Sequence, residues 1–125
     1  MARTRLILDH GTAVPFERFE RFAMLERDRD VALDALLERF ATLRAANLEQ
    51  VATLVGDSDL DRRGLHPTLG EVTLRHLLAA WSVHDLDHVA QVYAGLAGSR
   101  DADVGPWKQY LGILLRRDDP AAVAG

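Results

Sequence analysis

Two long stretches of helical periodicity constrain this chain more than any other feature. From about Asp28 to Leu54, Leu33, Leu36, Leu37, Phe40, Leu43, Val51 and Leu54 recur at three- and four-residue intervals, with Asn47 on the same seam. Glu38, Arg39, Arg44 and Glu49 occupy the outer positions. That spacing predicts an amphipathic helix of about six or seven turns. Thr73, a good N-cap, opens a second such run through Leu74, Leu77, Leu78, Trp81, His84, Asp85, His88, Val92 and Leu96, ended near Ala97 by Gly98-Ser99. A chain dominated by two such segments buries them against other helices, so the expected class is all-α.

The connecting stretches fit that outline. Residues 2–9 can form two turns of helix closed by His10-Gly11. Thr12 to Phe22 is a connector broken by Pro15, with Phe16, Phe19 and Phe22 as anchors and room for a short helix. Residues 57–72, rich in glycine and turn formers, read as a structured loop or a short hairpin. A last helix starts near Pro106 and continues through Trp107, Tyr110, Leu111 and Leu114, and the tail after Arg117 is expected to fray. A length of 125 residues suits a single domain, and 48% hydrophobic residues support a packed core.

Charge and composition narrow the function. A net charge of −4 with only scattered arginines disfavours nucleic acid and anionic membranes as partners. The absence of cysteine removes disulfides and thiolate metal sites. No apolar run reaches the roughly 20 residues that span a bilayer, and the N-terminal apolar stretch is too short for a signal peptide. The expected location is the cytoplasm.

Chemistry concentrates in His84-Asp85-Leu86-Asp87-His88. Imidazoles four residues apart share one helical face and can chelate one divalent ion, at about 2.0–2.1 Å if it is zinc. Their place on the apolar stripe points them toward a bundle interior or its mouth. The alternative is that each bonds a carbonyl or carboxylate and merely packs. Asp85 or Asp87 can orient a ligand histidine from outside the coordination sphere. Asp85 stands where zinc proteases carry a glutamate and no third ligand follows at their spacing, so a protease is rejected. His10 suits a helix C-terminus, His66 precedes proline in an exposed loop, and His76 lies about 80° around the helix from His84. Trp81 and Trp107 read as core aromatics.

The ordered set Gly70-Glu71-Val72-Thr73-Leu74-Arg75-His76-Leu77-Leu78, Trp81, His84-Asp85-Leu86-Asp87-His88 and Gln91 resembles the DinB family. Val104-Gly105-Pro106-Trp107 with Tyr110-Leu111 and Ile113-Leu114 is similar to the end of its sequences, and Ile7-Leu8-Asp9-His10-Gly11 with Pro15-Phe16 to an upstream stretch. The resemblance implies a bacterial four-helix bundle with a long crossover. It also implies a three-histidine centre for a divalent metal such as zinc, nickel or iron. His84 and His88 match two of its ligands. The first has no match, which implies that most of the first helix is missing and about three main helices remain. The implied activity is that of a metal-dependent hydrolase or a thiol-dependent transferase on a small-molecule or thiol substrate. The alternative is a non-catalytic helical protein that dimerises, or binds a partner, through a groove left by the missing helix.

Overall fold

The computed structural model describes residues 1–18, Glu20 and residues 22–115. Phe19 and the tail beyond Arg117 lie outside the described residues. Helix accounts for 66% of the described residues and strand for 8%, so the protein is all-α with one minor hairpin. The order is α1 (Ala2–His10), α2 (Ala23–Asp28), α3 (Leu33–Leu54), a 3₁₀ turn (Asp57–Asp59), β1 (Arg63–His66), β2 (Gly70–Thr73), α4 (Leu74–Gly98), a second 3₁₀ turn (Gly105–Tyr110) and α5 (Gly112–Leu115). The chain divides into two compact units, Met1–Leu78 and Ala79–Gly125, with the boundary inside α4.

The first unit is built round Ile7, Phe16 and Leu74, all buried, with Leu6, Val55, Val72 and Leu77 packed against them. Helix α1 stops at Gly11, whose φ of 58° suits a residue without a Cβ and whose N–H donates to the Ile7 carbonyl. The next segment runs extended, so that Pro15 pairs with Leu65 and the Phe16 N–H donates to the Leu65 carbonyl at 2.8 Å. That bond seats the Phe16 ring in the core. Strands β1 and β2 are antiparallel, from Arg63 opposite Thr73 to His66 opposite Gly70.

Gly64 is required where it stands. A Cβ there would lie 2.6 Å from Ile7 Cγ1 and 2.9 Å from the Phe16 ring. The guanidinium of Arg62 donates to the Leu8 carbonyl, and Arg5 reaches Gln50 Oε1 at 3.1 Å, tying α1 to the hairpin and to α3.

Several details differ from the periodicity reading. The first long helix begins at Leu33 and not near Asp28, because Asp28 closes α2 and its carboxylate serves as a corner. Arg27 holds it through two bonds of 2.9 and 2.8 Å, and Arg39 of α3 approaches to 2.8 Å. Phe22 is 75% exposed, so of the two described phenylalanines in the connector only Phe16 anchors it. No residue of α3 is buried: Leu33, Leu37, Phe40 and Leu43 find no cover within their own unit, and Asn47 is half-buried.

In the second unit the last helix is replaced by the 3₁₀ turn and the short α5, with Leu114 buried. Lys108 Nζ lies 3.0 and 3.1 Å from the two oxygens of Asp101, fastening the 3₁₀ turn to the loop that follows α4. Within this unit Trp107 is exposed beside Tyr110, centroids 6.1 Å apart, and takes no part in the unit's own packing; Trp81 is half-buried.

Candidate metal centre

Helix α4 starts from a reciprocal cap. Thr73 Oγ1 accepts the His76 N–H at 3.2 Å, and His76 Nδ1 accepts the Thr73 N–H at 3.3 Å. This is the capping-box arrangement with histidine in the place of glutamate. His76 is thereby occupied as a structural acceptor. His66, expected to be exposed, is half-buried. Its Nδ1 accepts the N–H groups of Thr68 and Leu69, each at 3.2 Å, and its ring meets Phe16 edge-on at 6.0 Å. It closes the hairpin turn. His10 lies exposed in the last turn of α1.

The remaining two histidines come together. His84 and His88 lie one turn apart on α4 with ring centroids 4.3 Å apart and planes at 88°. Both are exposed, since the short elements of their own unit do not cover them. The burial expected from the apolar stripe is therefore not seen within that unit. The case for a site therefore rests on their pairing and on what holds them.

What holds His88 is Gln91. His88 Nδ1 lies 3.1 Å from Gln91 Oε1, and Gln91 Nε2 donates to Asp87 Oδ2 at 2.9 Å. An amide oxygen can only accept, so this contact calls for a proton on Nδ1 of His88, and in a neutral ring the lone pair is then on Nε2. Asp87 thus acts through Gln91, a residue whose bridging role the His-x-x-x-His spacing alone does not reveal. The pattern was still present in the sequence: Gln91 follows Asp87 by four residues and His88 by three, both same-face spacings. Asp85 is half-buried. Among the described residues, no group of three or more histidine, aspartate or glutamate side chains is gathered in a way that could hold a metal ion. Among the same residues, no helix is long and apolar enough to cross a membrane.

Fold and site together define a helical protein with a paired-imidazole face. The family model of the DinB superfamily matches residues 2–92, nearly three-quarters of the chain and the whole of the His84 to Gln91 stretch, and the protein belongs to that superfamily. No match was found among curated proteins.

Proposed function

We propose that this DinB protein binds a divalent transition metal through His84 and His88. The observation that carries this reading is the pairing of two imidazoles that the rest of their unit does not cover, one of them held by Gln91 at Nδ1. Two imidazole nitrogens one helical turn apart fit two positions of such an ion and leave others for water, a carboxylate or a second chain. His88 is oriented by Gln91. Within its own unit His84 is covered by no other element, and its ring already lies beside that of His88. A bound ion supplies Lewis acidity toward a water or a thiol, the chemistry of a hydrolase or a thiol-dependent transferase.

The test is metal analysis after zinc or nickel loading of the wild type and of the His84→Ala, His88→Ala double variant. About one ion per chain in the wild type and almost none in the variant is expected. Equal, near-zero loading of both would sink the reading.

A second, compatible reading is self-association. The apolar residues Leu33, Leu37, Phe40 and Leu43 of α3, which the rest of the first unit leaves open, favour it. A second copy of the chain is the occupant it commits to, and sedimentation tests it.

A further inference from the structure

The chain Asp87–Gln91–His88 has a direction, and the direction decides what His88 presents. A carboxylate at neutral pH only accepts hydrogen bonds, whereas a side-chain amide offers donors on one side and an acceptor on the other. Asp87 Oδ2, at 2.9 Å, therefore turns the Gln91 NH₂ toward itself. The amide oxygen is then left facing His88 Nδ1 at 3.1 Å. An oxygen there requires a proton on Nδ1, which places the lone pair on Nε2. Reversal of the amide would set its NH₂ against Nδ1, move the ring proton to Nε2 and remove the outer nitrogen as a ligand.

We propose that Asp87 and Gln91 are positioning residues that hold His88 in the Nδ1–H tautomer and so prepare Nε2 to accept a metal ion. The proposal rests on the metal-binding reading and adds a polarity to it: Asp87 sets the amide, and the amide sets the ring. Hydrogen bonds to the free nitrogen of a ligand histidine commonly change metal affinity by about 10–100-fold when removed. The rest of their unit does not cover these groups, and a bond open to competing water is weaker, so a loss near tenfold is expected.

The experiment reads the ring itself. Long-range ¹H–¹⁵N spectra of the metal-free full chain at about pH 8, where imidazole is neutral, report which nitrogen of His88 is protonated. The wild type should show Nδ1–H in excess. Gln91→Leu and Asp87→Asn should move the population toward Nε2–H, the first by losing the acceptor and the second by freeing the amide to turn. Gln91→Glu, which restores an acceptor oxygen, should keep Nδ1–H. Circular dichroism confirms that α4 is intact in each variant. Zinc titration should then show about tenfold weaker binding for Gln91→Leu and near wild-type binding for Gln91→Glu. A His88 ring that is Nε2–H in the wild type, or unchanged in both Gln91→Leu and Asp87→Asn, overturns the proposal, as does measurable zinc binding of equal affinity in all four proteins. A tautomer shift in a protein that takes up no zinc supports the relay while removing the metal-binding reading, so the two failures are distinguishable.

Discussion

At the scale of single residues, what matters most is how little space the small core leaves. Ile7 has no solvent exposure, and Gly64 sits against it with no room for a methyl group. Gly64→Ala would place a Cβ 2.6 Å from Ile7 Cγ1, well inside van der Waals contact, and neither Ile7 nor the Phe16 ring can swing into water to relieve it. Overpacking of this kind costs about 1–3 kcal/mol. A lower urea midpoint with an unchanged slope is expected, and an unchanged midpoint would show that the hairpin and α1 part easily. None of this was legible in the sequence, where Gly64 reads as one more turn former. The requirement comes from two elements more than forty residues apart in the chain. His66 was misread for the same reason: its neighbours, the turn N–H groups and Phe16, are set by the fold of the hairpin and not by the proline that follows it.

At the scale of elements, ends are the vulnerable points, and two of them are tied by identifiable side chains. Thr73→Ala removes the acceptor for the His76 N–H and disturbs the reciprocal bond, and a lost cap of this kind costs about 1 kcal/mol. Thermal melts of Thr73→Ala and Thr73→Ser should separate the two, with serine close to wild type; equal losses would assign the effect to the methyl group instead.

The corner between α2 and α3 carries a pH dependence. Hydrogen bonds from Arg27 first and Arg39 second hold the Asp28 carboxyl well below the usual aspartate range, against the smaller opposing effect of its desolvation. A carboxylate whose pKa is lower in the folded than in the unfolded chain contributes stability at neutral pH. That contribution is lost as pH falls below about 4 and through the folded value. The wild type should therefore lose more stability on acidification than Asp28→Asn, read as converging urea midpoints. Midpoints that stay parallel down to acid pH would assign the corner no role. The helices themselves were legible from periodicity, because a three- to four-residue repeat is a local property. The start of α3 was not, since the break before Leu33 depends on a carboxylate engaged by partners on two elements.

At the scale of the whole molecule, superfamily membership and an all-α fold agree with the sequence reading. The rest of the first unit leaves Leu37, Phe40 and Leu43 of α3 open, and what covers them bears on how many copies assemble. If a second copy covers Leu37, Phe40 and Leu43, sedimentation velocity gives a dimer at micromolar concentration, and Phe40→Glu shifts it toward monomer while leaving helix content intact. A wild type that sediments as a stable monomer would end that reading. The candidate site was half legible: the pairing of His84 and His88 was evident from their spacing, whereas the bridge through Gln91 was not. Spacing along one helix states which residues share a face, but not which rotamers they adopt or what covers them.

The sequence by itself therefore determined what is local: two long helices, the threonine that caps the second, and a pair of imidazoles one turn apart. The tertiary structure alone decided what depends on distant partners. It chose Phe16 over Phe22 as an anchor, forbade a side chain at Gly64 and used His66 as an acceptor. The physical reason is that periodicity and capping are written in neighbouring residues, while burial and steric fit are set by atoms that meet only when the chain has folded.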